Sequence, residues 1–255
     1  MTTPDVKTPD LTRPDYKQRF YERYYSSHVA GRDGSASARM LQGRARIYDA
    51  GWTLLFPPDR SAAILDVGCG PGDLLWWLQR RGYADAHGID ISPEQIRIAR
   101  ALGVAAVEEA DLRSYLATRP AQFDRLILRD VLEHLTRDVA IETLDSCRAA
   151  LRSGGRLIVQ VPNAESPLWG RIRYGDVTHE MAFTESSLRQ IFAVTGFGQV
   201  EFHPAGPVLR GPRDLPRHLL WKCVEVGYKL LVFAETGRAG AVVTESIIAV
   251  AATGA

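Results

Sequence analysis

Three glycines alternate at Gly68, Gly70 and Gly72, and an acid, Asp66, stands two residues ahead of the first. Without a Cβ, such glycines let the chain turn sharply and let a ligand come close to the main chain and to a following helix N-terminus. A dinucleotide turn, G-x-G-x-x-G, places its third glycine five residues after the first. Here the third comes four after the first. An acid just before this tighter turn suits a cationic ligand better than a pyrophosphate. Three more acids, Asp90, Asp111 and Asp130, follow short strand-like runs downstream. Glu133 and His134 come next, and a second histidine, His179, lies 45 residues after His134. Carboxylates and imidazoles of this kind can move a proton or hold a divalent ion such as Mg²⁺ or Mn²⁺.

Those residues need elements to hold them. Ala62–Leu65 before Asp66, and the apolar Leu74–Leu78 after Gly72, read as strand, tight turn and helix. Further strands are expected at Asp85–Asp90, Val104–Val107, Phe123–Leu128 and Arg156–Val161. Between them come a helix at Ser92–Leu102, with Ser92 as N-cap and Pro93 at its first position, and a helix at Ala140–Leu151 ended by Gly154-Gly155. Thr184–Thr195, closed by Gly196, is a further helix, and Gln199–Phe202 and Val242–Ala251 supply two more strands. This alternation argues an α/β fold with a parallel sheet. Ligands of such sheets bind at the carboxyl ends of the strands, which is where the four acids fall.

Ahead of the sheet, Tyr16–His28 reads as a helix with Tyr16, Phe20, Tyr24 and His28 on one face. After a Gly31–Gly34 loop, Ser35–Phe56 reads as a second helix ended by Pro57 and Pro58. Residues 16–60 are thus an N-terminal helical cap, with packing as its first role and a lid as its second, and residues 1–15 a Pro-rich, disordered tail. Residues 205–240 form a helical insertion before the last strand, and within it Leu215–Ala234 is strongly apolar with Arg213, Arg217, His218 and Lys222 near its start. That helix should lie against its own core, a second copy of the chain, or an anionic membrane face, in that order.

Composition excludes some classes. The 255 residues carry a net charge of +1, so nothing global points to nucleic acid. Cys69, Cys147 and Cys223 are dispersed, which argues against a disulfide framework or a zinc site and fits a reducing cytoplasm. The polar, Pro-rich start does not read as a signal peptide, and no apolar run reaches the ~18–20 residues of a membrane span.

Ile64–Gly72, Gly88–Asp90, Glu109–Leu112, Asp124–Leu135 and Leu151–Val161 together resemble the ordered motif series of class I S-adenosylmethionine (SAM)-dependent methyltransferases. The resemblance implies a Rossmann-like, seven-stranded sheet with an antiparallel last strand, SAM as methyl donor, and a methyltransferase domain over residues 61–255. Asp66 then lies near the methionine end of the cofactor, beside Gly68, Gly70 and Gly72. Asp90, 22 residues after Gly68, accepts from the ribose hydroxyls. Ile91 packs on the adenine, Asp111 accepts from its exocyclic amine, and the Leu112 N–H meets a ring nitrogen. Arg129 is counted with these cofactor-binding residues.

Asp130-Val-Leu-Glu133-His134-Leu135, followed by Asp176-Val-Thr-His179, resembles two O-methylating branches: the ubiquinone-pathway O-methyltransferases and the small-RNA terminal 2′-O-methyltransferases. Those branches imply a divalent metal on an acid-x-x-Glu-His element that orients and acidifies the acceptor hydroxyl. This chain has Asp130 where they have Glu. His134 and His179 are therefore candidate bases, with Asp130 beside them, or Asp130, Glu133, His134 and His179 hold Mg²⁺ or Mn²⁺; in other relatives Glu and His only brace the loop. Pro162–Tyr174 adds Asn163, Trp169, Arg171, Arg173 and Tyr174 on the acceptor side, and Arg171–Phe197 is similar to methyltransferases of polysaccharide or glycolipid assembly. The expected function is SAM-dependent O-methylation of a small molecule or glycan. The rivals are an RNA 2′-O-methyltransferase and a non-catalytic SAM-binding partner subunit.

Overall fold

The computed structural model describes residues 16–29, 36–209 and 211–253. The expected tail over residues 1–15 and the Gly31–Gly34 loop lie outside the described residues, as does the side chain of His28. Seven strands form one sheet: β1 (Ile64–Val67), β2 (Ala86–Asp90), β3 (Val107–Glu109), β4 (Phe123–Arg129), β5 (Leu151–Pro162), β6 (Phe197–Pro204) and β7 (Ser246–Thr253). Their order is β3-β2-β1-β4-β5-β7-β6. Strands β1 to β5 pair in parallel, and β7 runs antiparallel to both β5 and β6. This is the Rossmann-like sheet that the resemblance implied.

The central strands are apolar on both faces because both faces are covered. Leu65, Val67, Leu126, Leu128, Leu157 and Val159 share one core, while Ile64, Ile127, Ile158, Ile248 and Val250 share the other. That split follows the period of two along each strand. α5 (Leu112–Ala117), α6 (Arg137–Ala150) and α8 (Glu185–Val194) contribute Leu116, Leu144, Leu188 and Phe192 to the first core. α2 (Ala38–Gly51), α3 (Asp73–Arg80) and α4 (Pro93–Ala101) contribute Tyr48, Leu74, Leu75 and Ile96 to the second.

Several elements differ from expectation for local reasons. The first helix, α1 (Tyr16–Tyr21), stops early because the Tyr21 carbonyl accepts from the Ser92 hydroxyl at 2.7 Å; a π-turn follows at Tyr25–Val29. α2 starts at Ala38 behind the N-cap Ser37, and a separate 3-10 turn covers Thr53–Leu55. β3 lies at Val107–Glu109 rather than 104–107, and α5, which was not anticipated, follows because Asp111 caps it through the Ser114 N–H at 3.1 Å. Gly154-Gly155 does not end α6. β5 already starts at Leu151, and the ladder to β4 shifts register between Phe123 and Arg125, with Gly154 at φ 74° inside the irregular stretch. β6 and β7 are also displaced or longer than expected. α7 is a short turn at Trp169–Arg173. α9 (Leu215–Thr236) lies between β6 and β7, and none of its residues is buried. The expectation that it packs first on its own core therefore fails: its leucines point to solvent.

Candidate active site

The turn after β1 is built for close approach. Gly68 sits at φ 71°, in the left-handed region that favours glycine, and a Cβ there would meet the Val131 Cγ2 at 2.5 Å. α3 begins directly behind Gly72. At the end of β2, Asp90 accepts from the Gly70 N–H at 2.9 Å and from the Ser92 N–H at 2.8 Å. One buried carboxylate thus ties the glycine turn to the start of α4. Burial raises its pKa and those two donors partly offset the rise.

A single cavity of about 610 Å³ runs across the carboxyl ends of the strands. Gly68, Gly70, Asp90, Ile91, Asp111, Leu112 and Arg129 line one part of it, and Asp130, Glu133, His134 and His179 another. Asp66 and Gly72 are not among its lining residues. Asp66 is wholly buried, with both carboxylate oxygens unpartnered. The acid that does line the cavity near the turn is Asp73, which sequence reasoning missed. Its position as the first residue of the helix behind the glycine turn was the available signal. Asp73 accepts from Arg129 at 2.9 Å and from the Tyr48 hydroxyl, and Arg44 lines the same region. Burial opposes its ionisation, but Arg129 and Arg44 outweigh it and hold its pKa below the ordinary value.

Asp66 has the opposite balance. Burial lifts its pKa from 3.8 to about 7 despite Arg129 nearby. Below pH 3.8 the carboxyl is protonated in both the folded and unfolded chain. Between 3.8 and about 7 only the unfolded chain loses the proton, so this group lowers stability as pH rises, and its full penalty is present above about 7. Asp66→Asn should flatten that slope. Ligand-free wild type should lose on the order of 4 kcal/mol relative to the variant between pH 4 and pH 8. Chemical denaturation at the two pH values checks this; parallel pH profiles would refute it.

The histidines converge. The His134 and His179 rings lie 4.7 Å apart, centroid to centroid, edge to face. His134 Nδ1 is 2.8 Å from the Thr178 hydroxyl, whose own proton goes to Asp176 at 2.7 Å. Thr178 is therefore the acceptor, Nδ1 carries the hydrogen, and Nε2 is left with its lone pair. The His179 Nδ1–H donates to the Ile172 carbonyl at 3.1 Å, which frees its Nε2 in the same way. Burial, then the neighbouring His179, lowers His134 to about pKa 4, and burial lowers His179 too. Both rings are neutral near pH 7.

Glu133, His134 and His179 each offer one ligand atom, and these atoms lie within 4.8 Å of one another. Glu133 is buried, burial pushes its pKa well up, and its Oε2 has no hydrogen-bond partner. An unpartnered carboxylate beside two oriented imidazoles fits a divalent cation. Asp130 is not in this group. The chain turns there at φ 58°, and the carboxylate accepts from the Gln160 amide at 3.0 and 3.1 Å. The four-residue set expected from sequence narrows to three.

The N-terminal segment spans both parts of the cavity. Ser92 holds the Tyr21 carbonyl at one end. At the other, the Tyr24 hydroxyl donates to Asp176 at 2.6 Å, and Lys17 donates to the His134 carbonyl at 2.8 Å and pairs with Glu180. Tyr21 and Tyr24 both present ring contacts to His134. Burial opposes the Asp176 charge, yet Tyr24 and Thr178 hold its pKa down to about 2. Sequence reasoning placed Tyr24 on a packing face and missed this chain of hydrogen bonds, which joins residues 152 apart.

A family profile described as "Methyltransferase domain" matches residues 40–201. Among curated relatives, a ubiquinone biosynthesis O-methyltransferase from Xylella fastidiosa is 40% identical over 111 residues, 42% of this chain and 44% of that protein. A protein of the same name from Xanthomonas euvesicatoria is 33% identical over 107 residues, 40% of this chain and 44% of its own length. The chain thus spans less than half the length of these curated relatives. Among solved structures, a SAM-dependent methyltransferase from Archaeoglobus fulgidus superposes with a TM-score of 0.60 at 20% identity, covering 94% of this chain and 100% of that one. The Burkholderia thailandensis 1,6-didemethyltoxoflavin-N1-methyltransferase, with S-adenosylhomocysteine bound, gives a TM-score of 0.55 at 18% identity, over 94% and 89% of the two chains. These structures share the fold. With the profile matching more than half its length on this sheet order, the chain belongs to the class I SAM-dependent methyltransferases.

Proposed function

We propose that this protein methylates a hydroxyl of a small molecule or glycan, with SAM as donor. The observation that carries the reading is that one cavity joins Asp90 and the glycine turn to His134 and His179. A non-catalytic SAM-binding subunit would have no use for a second, histidine-lined part open to the first. The O-methyltransferase names of the curated relatives support oxygen as the acceptor atom. Near-zero net charge supports a small or sugar acceptor over RNA. Trp169 and Tyr174, with rings 6.1 Å apart, and Arg173 beside Tyr174 suit a sugar face. The dispersed free cysteines suit the cytoplasm.

SAM, when bound, supplies an electrophilic methyl. Asp90 and Asp111 would hold its ribose and adenine, and Asp73 with Arg129 and Arg44 its charged amino-acid end. The acceptor hydroxyl must lose its proton as the new C–O bond forms. The Nε2 lone pairs left free on His134 and His179 would take that proton, and Asp176, ionised and linked through Thr178, would stabilise positive charge developing on His134. The unpartnered Glu133 oxygen favours a second arrangement, in which Glu133, His134 and His179 hold Mg²⁺ or Mn²⁺, which would supply Lewis acidity to the hydroxyl.

A screen of sugar and phenolic acceptors with methyl-labelled SAM tests the function; transfer to nitrogen only, or to RNA with strong salt dependence, would overturn it. The two arrangements separate in the same assay. With the ion in place, EDTA lowers turnover and added Mg²⁺ or Mn²⁺ restores it. Turnover indifferent to EDTA leaves the imidazole pair as the direct base.

A further inference from the structure

α9 is amphipathic in the wrong sense for a helix packed on its own protein. At about 100° per residue, Leu219, Leu220, Val226, Leu230, Leu231 and Phe233 fall within roughly half of its circumference, and no charged residue falls in that sector. These residues are 52–66% exposed. The opposite side, with Trp221, Glu225, Tyr228 and Lys229, is the part-covered one. There Glu225 accepts from Lys222 at 2.7 Å and from Lys229 at 2.8 Å. The part-covered side of the helix thus carries its paired charges, and the apolar side is the exposed one. We infer that this outward face docks on an anionic membrane surface, with the helix lying in the plane of the interface.

Two features favour a bilayer over a second copy of the chain. The first is width. A partner helix covers a seam narrower than about 100°, which would leave much of this face in water, whereas a bilayer covers all of it. The second is charge. Residues 211–238 carry five Arg and Lys against three Asp and Glu, a net of +2, so two copies of the segment repel while anionic headgroups attract it. Arg217 borders one edge of the apolar sector and Lys222 the other, positions from which such side chains reach the headgroup level. No helix among the described residues is long and apolar enough to cross a membrane, which agrees with an in-plane placement. The insertion also leaves and rejoins the sheet beside the cavity: Pro204 pairs with Ile247, and Glu245 and Ser246 line the cavity.

Flotation of the full chain with phosphatidylcholine vesicles, with and without phosphatidylglycerol, tests this independently of any methyl transfer. The protein should float with the anionic vesicles and only weakly with the neutral ones. Leu220→Glu combined with Leu231→Glu should cut the bound fraction at least ~10-fold, with the circular dichroism spectrum retained because neither residue is buried. Equal flotation of the variant, or equal binding to neutral vesicles, overturns the inference. So does absence of wild-type flotation; if a dimer dissolved by the same substitutions is then found, the face belongs to a second copy.

Discussion

Replacing His134 with alanine should lower kcat by ~10²–10⁴-fold while leaving SAM affinity within about twofold. The separation follows from the cavity, whose cofactor part is built from Asp90, Asp111 and the glycine turn and does not include the imidazoles. His179→Ala should cost a similar factor. The double variant should cost little more than either single one, because one hydroxyl is served by both rings, 4.7 Å apart. Thr178→Val keeps the shape near His134 but removes the acceptor that fixes its tautomer, and about a tenfold loss is expected. Stopped assays with saturating SAM give kcat, and calorimetry gives the affinity. If His134→Ala retained turnover within threefold of wild type, neither a direct base nor an ion held by this ring would describe the enzyme.

Part of this site was legible in the sequence because it is local. The strand, glycine turn and helix around Gly68, the acid that ends β2 and the one just after β4 are short-range patterns with a known place in parallel sheets. The meeting of His134 and His179 was also accessible, since the loops after β4 and β5 open on one rim once those strands are neighbours. What escaped depends on long-range orientation. Asp130 sits in the expected loop, but its backbone turn aims the carboxylate at Gln160 on β5. Asp66 lies in the expected motif, yet β1 is buried on both faces and encloses it, and Asp73 faces the cavity instead. The line from Tyr24 through Asp176 and Thr178 to His134 joins two segments that only the closed fold brings together. For α9, the sequence shows an apolar helix, but not that the fold leaves none of its residues buried.

Asp90→Ala should weaken SAM binding by more than the tenfold expected for one lost ribose contact. A hydrogen bond to a charged group contributes about 1.5–3 kcal/mol, which alone is a factor of ~10 to ~100. Here the carboxylate also receives the Gly70 and Ser92 N–H groups, so its removal leaves two buried donors unpaired and unties the glycine turn from α4. The Ser92 hydroxyl in turn holds the Tyr21 carbonyl, so loosening α4 reaches the segment that crosses the cavity. A loss of ~100-fold or more in affinity is therefore expected. Asp90→Asn separates the two contributions: its amide oxygen can keep one of the two backbone donors, while the charge that favours the ribose hydroxyls is gone. It should fall between wild type and alanine. Calorimetry with SAM and with S-adenosylhomocysteine should show the same ranking, because the ribose is common to both. An affinity unchanged by either substitution would remove Asp90 from the cofactor site and leave it as a structural tie between the turn and α4.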